Sequence, residues 1–279
     1  MEILKTELEL NNWVKNQHAN TTKIGFVPTM GALHEGHIYL VKQSVKQELA
    51  TIVSIFVNPK QFNNASDLNK YPITIEADIK LLKKSGCNAL FIPTIDIIYP
   101  SYFLPIKLDL GILDTVLEGP KRPGHFNGVA QVVYRLFKMV KPDKAFFGLK
   151  DFQQCKVIKL LASHFFTNIK IELCPTIRHK SGLAMSSRNM RLSDNGKKRA
   201  SLIYKTLNVI KNLNNAIEPK DAIKYGKYLL AENNIEVEYL ELANSKTLES
   251  WIVWQPEKQN ILLIAAYIEG VRLIDNIQF

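Results

Sequence analysis

The feature that most constrains this chain is the alternation, over its first two-thirds, of short apolar runs with amphipathic ones. Lys23–Pro28 is a short apolar run closed by Pro28-Thr29-Met30-Gly31, a strand leading into a turn. The residues after it, His37–Val45, place apolar side chains at helical spacing. Thr51–Val57 is β-branched and stops at Asn58-Pro59, and Ile75–Lys84 reads as an amphipathic helix ended by Ser85-Gly86. Asn88–Pro93 predicts a third strand, Val129–Val140 a helix, Lys144–Gly148 a strand, Phe152–Phe165 a helix and Lys170–Cys174 a strand. Strands this uniformly apolar, each separated by a helix, predict an α/β fold with a Rossmann-like parallel sheet covered by helices on both faces. Ligands of such sheets bind beyond the carboxyl ends of the strands. The turns after Val27, Val57 and Phe147 are therefore where chemistry is expected.

From about Ile177 the pattern changes. A polar stretch, Lys180–Asp194, precedes helices near Gly196–Asn212 and Pro219–Glu232, then strands at Val237–Ala243, Ile261–Ile268 and Val271–Ile277. Strands joined by short connections predict an antiparallel sheet, hence a smaller α+β domain. The expected boundary lies near Thr176, dividing the chain into 1–176 and 177–279.

Composition narrows the function classes. With 46% hydrophobic and 22% charged residues the 279-residue chain is neither disordered nor fibrous. No apolar stretch approaches the roughly 18 residues of a membrane helix. The N-terminus lacks a basic region followed by an apolar one, so a cytoplasmic protein without a signal peptide is expected. Cys87, Cys155 and Cys174 form no C-x-x-C pair and read as reduced thiols. The balance of 36 basic against 26 acidic residues, net +10, raises the chance of an anionic partner, but the lysines are scattered and a solvated surface is the preferred reading.

The sharpest segment is Pro28-Thr29-Met30-Gly31-Ala32-Leu33-His34-Glu35-Gly36-His37. It follows a strand and opens a helix whose N-terminus, with its unpaired N–H groups, suits phosphate. His34 and His37, three apart, share a face of the first turn. They either donate hydrogen bonds to phosphate oxygens as charge builds or act as one cap and one satisfied histidine. Zinc is disfavoured, since helical zinc pairs stand at i and i+4 with an acidic or Cys partner nearby. Gln61, past the second strand, can orient a hydroxyl and a carboxylate together or cap its loop. For Arg122 and His125, before the helix at Val129, structural roles are favoured. Gly148 allows a nucleotide close to the backbone, and Lys150 is a mobile charge for an α- or β-phosphate. Asp151 serves the ribose or a magnesium-bound water, or caps the following helix. Gln154 faces the same crevice or solvent. Met185-Ser186-Ser187-Arg188 brings two hydroxyls and a guanidinium to a triphosphate, or is a Ser-rich linker.

These segments, with Phe56-Val57-Asn58-Pro59-Lys60-Gln61-Phe62, Arg122-Pro123-Gly124-His125-Phe126, Phe147-Gly148-Leu149-Lys150-Asp151-Phe152-Gln153-Gln154 and Met185-Ser186-Ser187-Arg188-Asn189, occur in one order between residues 28 and 189. Together the five resemble the pantothenate synthetase (pantoate–β-alanine ligase) family, within the nucleotidyltransferase and class I aminoacyl-tRNA synthetase superfamily. The resemblance implies ATP-dependent condensation of pantoate with β-alanine through a pantoyl adenylate, releasing pyrophosphate and then AMP. It implies ATP contacts from Met30, Gly31, Ala32, Leu33, His34, Glu35, Gly36, His37, Gly148, Leu149, Lys150, Asp151, Ile177, Met185, Ser186, Ser187 and Arg188. Catalytic roles would fall to His34, His37 and Lys150, and Gln61 and Gln154 would bind pantoate and β-alanine. Magnesium is expected through the ATP phosphates rather than a protein cluster. A homodimer is implied, with neither nucleic acid nor membrane as partner. Departures are Leu149 where glutamate is frequent, Ser181-Gly182 for Asp-Gly, Asn63-Asn64 for Gly-Pro, and Ile73 for arginine. The competing readings are a nucleotidyltransferase acting on a phosphorylated acceptor, a tRNA-binding synthetase fragment and a nucleotide sensor.

Overall fold

In the computed structural model, which describes residues 1–214, 216–255 and 259–279, the chain divides into two compact units. The first comprises 1–114, 118–149 and 153–175, and the second 115–117, 150–152 and 176–279.

Unit 1 is built on six parallel strands: β1 (Glu2–Leu4), β2 (Ile24–Thr29), β3 (Ala50–Ile55), β4 (Ala89–Phe91), β5 (Lys144–Gly148) and β6 (Lys170–Cys174). Their order across the sheet is β1-β4-β3-β2-β5-β6. Because side chains alternate along a strand, neighbouring residues feed opposite cores. Phe26, Ile52, Phe91 and Phe147 pack on one face with Trp13, Val133 and Phe137. Val27, Val53, Leu90 and Phe146 pack on the other with Leu40, Val41 and Leu82. This two-sided burial is why the strands read as unbroken apolar runs.

Chain direction across the sheet reverses between β2 and β5: β3 and β4 are added on one side of β2, β5 and β6 on the other. Such a reversal opens a crevice at the carboxyl ends of the two diverging strands. Those ends are Thr29 and Gly148, next to two of the motifs named above.

The expected strands and helices of unit 1 all form, and Ile75–Lys84 forms with the expected bounds. Helix His125–Val140 begins four residues earlier than expected. Gly124, at φ 76°, supplies the left-handed turn into it, and His125 and Phe126 are buried. Missing from the sequence reading are edge strand β1 and helix Glu7–Ala19. That helix opens with a Thr6/Glu9 capping box and buries only Leu10, Trp13 and Val14, a stripe too narrow to stand out.

Unit 2 has a three-stranded antiparallel sheet, β7 (Glu236–Asn244), β8 (Asn260–Ile268) and β9 (Val271–Gln278), in that order. Helices Asp194–Asn212 and Pro219–Ala231 contribute Ile203, Leu207, Ile210 and Leu230 to a core shared with Leu240, Leu262 and Ile264. The three cysteines are buried and form no disulfide among the described residues, and burial pushes the Cys87 thiol up to about 12.

Helix His125–Val140 packs its Gly128 directly on the 3-10 turn Pro59–Gln61, where an added Cβ would fall on the Lys60 carbonyl. Backbone cannot yield as a flexible side chain does. Gly128→Ala is expected to lower the unfolding free energy by about 2 kcal/mol, measured by urea titration. An unchanged midpoint would show that the contact relaxes at no cost.

Candidate active site

The turn after β2 is tightly constrained. Thr29 Oγ1 donates to the Ser54 carbonyl (2.8 Å) and accepts from the Gly31 N–H (3.2 Å). Gly31 (φ 81°) and Ala32 (φ 48°) are both left-handed, which costs about 1 kcal/mol or more for the alanine. The turn is held by Asp78, a carboxylate only 1% exposed. Its two oxygens accept from the Ala32 N–H (3.0 Å) and the Leu33 N–H (2.8 Å), and one also accepts from the Thr74 hydroxyl (3.0 Å). Two backbone donors and a hydroxyl compensate the burial of its charge.

Sequence reasoning missed Asp78, although a signal was present. Within Ile75–Lys84 the apolar stripe runs Ile75, Asp78, Ile79, Leu82, so an acid occupies a core position and demands partners. Its engagement of Ala32 and Leu33 means that these two N–H groups face inward. Behind the turn lies a cavity of about 180 Å³ lined by Ile55, Val57, Thr74, Ile92 and the rim residue Ile73.

His34 is the N-cap of helix Glu35–Val45. Its Nδ1 accepts from the Gly36 N–H (3.1 Å), and His37 Nδ1 accepts from the His34 N–H (3.4 Å). The rings stack with centroids 4.0 Å apart. Because both Nδ1 atoms accept, the proton of each neutral ring is on Nε2. Cap and ligand were alternatives in the sequence; here one edge of each ring serves the helix and the opposite edge is an N–H donor. Glu35 is exposed, Gly36 half-buried.

Gln61 is buried at the end of the 3-10 turn. Its Oε1 accepts from Asn58 Nδ2 (3.1 Å), and its Nε2 lies 3.1 Å from Met30 Sδ, a weak acceptor. Asn58, also overlooked in the sequence, ties the turn to the Gly128 carbonyl (3.1 Å) and accepts from Tyr99 (3.0 Å). His125 Nδ1 bonds the Gln61 carbonyl (2.7 Å), the structural role expected of it, and Arg122 pairs with Glu118 (3.4 Å). Of the adjacent glutamines, Gln153 is committed to the Glu118 N–H and the Leu113 carbonyl. The side-chain amide of half-buried Gln154 has no hydrogen-bond partner among the described residues. At the end of β5 an added Cβ on Gly148 would meet nothing within 4 Å, so space over its backbone is open. Leu149 follows in a 3-10 turn.

The remaining motif residues belong to unit 2. Lys150 Nζ pairs with Asp151 Oδ1 at 3.1 Å, Lys150 being the more buried partner. Ile177 accepts from the Met185 N–H (2.9 Å), closing a hairpin with Gly182 (φ 93°) at its tip. Ser181 keeps its hydroxyl oxygen 3.5 Å from the Leu183 N–H, as an aspartate in such a turn would. Ser186 caps the 3-10 turn Ser187–Arg191 by accepting from the Arg188 N–H (3.3 Å). Met185 and Ser187 are buried and Arg188 half-buried. This is a hydrogen-bonded hairpin and turn rather than a linker.

A parallel sheet with a histidine-paired helix start at its switch point defines the class: a Rossmann-like nucleotide-dependent enzyme. Residues 2–278 match the model of the pantoate-beta-alanine ligase family. A pantothenate synthetase of Cytophaga hutchinsonii is 51% identical over 257 residues, covering 91% of this chain and 90% of that protein. One of Azobacteroides pseudotrichonymphae is 47% identical over the full length of both. Among solved structures, pantothenate synthetase of Thermus thermophilus superposes with TM-score 0.92 at 34% identity, covering 100% of this chain and 99% of that one. The Francisella tularensis pantoate-beta-alanine ligase, solved with β-γ ATP and β-alanine, gives 0.83 at 36% identity, covering 100% and 97%. The chain belongs to the pantoate–β-alanine ligase family. It is an ATP-dependent ligase that joins pantoate to β-alanine; a match over nearly all of its length does not favour nucleotidyl transfer.

The turn yields its own test. Asp78→Asn puts an amide N–H against a backbone N–H, and an unmade buried bond costs about 1–3 kcal/mol. Its unfolding free energy is expected to fall by about 2 kcal/mol in urea titration; an unchanged value would mean that the turn holds without the carboxylate.

Proposed function

We propose that the two half-reactions are divided among the residues above as follows. In the first, a pantoate carboxylate oxygen attacks the α-phosphorus of ATP and the bond to the β-phosphate oxygen breaks, giving pantoyl adenylate and pyrophosphate. An anion approaches a polyanion, so the site must offset repulsion and hold the reactants in line. The observation that carries this reading is the histidine pair. With both Nδ1 atoms committed to the helix start, His34 and His37 present Nε2–H donors toward phosphate oxygens that gain charge. Met30–Leu33 and Gly148–Leu149 lie along the nucleotide. Lys150 meets the α- or β-phosphate, exchanging Asp151 for a stronger anionic partner, and Asp151 is then released to the ribose. Ser186, Ser187 and Arg188 act on the triphosphate, with Ile177 and Met185 beside the nucleotide and Glu35 and Gly36 completing the helix start.

Gln61 and Gln154 hold pantoate and β-alanine. Gln61 Nε2 gains in exchanging a thioether for a hydroxyl or carboxylate oxygen, and the Gln154 amide gains a partner. In the second half-reaction the β-alanine nitrogen attacks the acyl carbon, AMP leaves with the electron pair of the acyl–oxygen bond, and the amine loses a proton.

Among the described residues no three His, Cys, Asp or Glu side chains are grouped to hold a metal. Magnesium enters this reading as part of Mg-ATP, held by phosphate oxygens and lowering their charge. We further propose that the enzyme is a homodimer and cytoplasmic. No described helix is long and apolar enough to cross a membrane. In this reading residues 1–176 carry the nucleotide and pantoate and 177–279 close over the ATP.

The reading is tested by pyrophosphate release from Mg-ATP with pantoate, with and without β-alanine. Release that requires pantoate, and sustained AMP formation only on adding β-alanine, is the expected result. Pyrophosphate release without pantoate dependence would overturn it. His37→Ala is expected to slow the first step by about a hundredfold, as loss of one oxyanion-type donor does; a near-wild-type burst would remove His37 from this role. Lys150→Ala should slow the first step strongly while preformed pantoyl adenylate still reacts with β-alanine at its normal rate. Equal losses in both would make Lys150 structural.

A further inference from the structure

Two adjacent residues of β9, Asp275 and Asn276, are 5% and 8% exposed, and neither is an obvious core residue. Successive side chains of a strand point to opposite faces, and here each holds a different segment of unit 2. The Asp275 carboxylate takes the Arg178 guanidinium in a two-pronged pair, at 2.6 and 2.8 Å. Arg178 also donates to the Gly182 carbonyl (3.2 Å) and lies 3.6 Å over the Tyr204 ring. The hairpin leading into Met185–Arg188 is thereby fixed to β9. From the other face, Asn276 Nδ2 donates to the main-chain carbonyl of Lys150 (3.0 Å). Asp275 Oδ1 accepts from the Asn276 N–H (2.8 Å), linking the two anchors.

Lys150 lies in the three-residue segment 150–152 that groups with unit 2, although the residues on either side belong to unit 1. A lysine has a flexible four-carbon stem, so the place its ammonium reaches is set by where its backbone is held. A bond to the carbonyl of the same residue is the most direct control available. Buried Asn276 directs its side-chain donor to the main-chain carbonyl of Lys150 itself.

We propose that Asn276 is a positioning residue for the first half-reaction, acting through the backbone of Lys150. The proposal rests on the assignment of Lys150 to the ATP phosphates made above. Misplacement of a reacting group by about 1 Å can cost on the order of a hundredfold in rate. Loss of one of the contacts that hold the Lys150 segment is expected to cost about tenfold.

The test uses the full-length enzyme and four proteins: wild type, Asn276→Ala, Lys150→Ala and the double variant. Single-turnover pyrophosphate release reports the first step, and reaction of preformed pantoyl adenylate with β-alanine reports the second. Asn276→Ala is expected to slow the first step about tenfold, leave the second unchanged and add no further loss in the Lys150→Ala background. A first step within twofold of wild type, equal losses in both steps, or a loss that multiplies with that of Lys150→Ala would each overturn the proposal. If Asn276→Ala does not fold, Asn276→Asp keeps the size and removes the donor, and is held to the same outcomes. Should Lys150→Ala itself leave the first step untouched, the assignment of Lys150 falls and this inference with it. Should Lys150→Ala impair that step while Asn276→Ala does not, the inference falls alone.

Discussion

The turn between β2 and helix Glu35–Val45 depends on one carboxylate. Two consecutive left-handed residues, one of them an alanine, direct the chain from the sheet into the helix that carries both histidines. Nothing in the turn's own sequence makes Ala32 favour that conformation. Asp78 supplies the reason from 45 and 46 residues away, by accepting the two N–H groups that the turn points inward. The bargain is mutual, since Asp78 is buried at a position where an unpartnered charge would be intolerable. The carboxylate stays in the core because the turn satisfies it, and the turn stays strained because the carboxylate is there. A glycine at 31 completes the fit: a Cβ there would meet Ile55 at 3.0 Å and Asp78 Oδ2 at 3.3 Å, at a φ that L side chains rarely adopt.

The same economy recurs in the polar groups around the turn. Each histidine uses Nδ1 for the helix start, which fixes ring orientation and tautomer together, and so the chemistry of the opposite edge is determined by a structural bond. Gln61 is oriented by Asn58 through its oxygen, and Asn58 in turn is held by Tyr99 and the Gly128 carbonyl. Side chains whose rotamers are locked by such neighbours would need little reorganisation on binding a ligand. Gln153 and Gln154 show the contrast directly. One is fully spent on main-chain groups of its own unit, and the next along the helix is not.

What could be read from the sequence follows from which interactions are local. The strands of unit 1 announce themselves because burial on both faces makes them continuously apolar, and Ile75–Lys84 because its stripe is periodic. Edge strand β1 has three residues and helix Glu7–Ala19 a narrow apolar face, so neither rises above its surroundings. The motifs located the histidines, Gln61, Lys150 and the Ser186–Arg188 segment through resemblance. Their supports, Asp78, Asn58 and Asn276, lie outside those motifs or were passed over within them, since a carboxylate or an amide shows its partner only when the chain is folded. Asp78 alone left a trace, as an acid on an apolar stripe.

Charge followed the same logic. A net charge of +10 invites a search for a basic surface, yet the arginines of unit 2 are largely committed within it. Arg178 is paired with Asp275, Arg199 with Glu269 and Arg272 with Glu238. Each pair joins residues at least 34 apart in sequence, so each organises the unit, while the lysines at 83, 84, 197 and 198 are exposed. Charge that recognises a ligand is distinguished from charge that builds the fold by the strength of what it would give up. Arg178 would have to leave a buried two-pronged carboxylate, a trade that binding a phosphate does not repay. Among the described residues Lys150 has the carboxylate of its own neighbour, 40% exposed, to exchange. This difference, rather than the total of positive charge, separates a cation open to exchange from one committed to the fold.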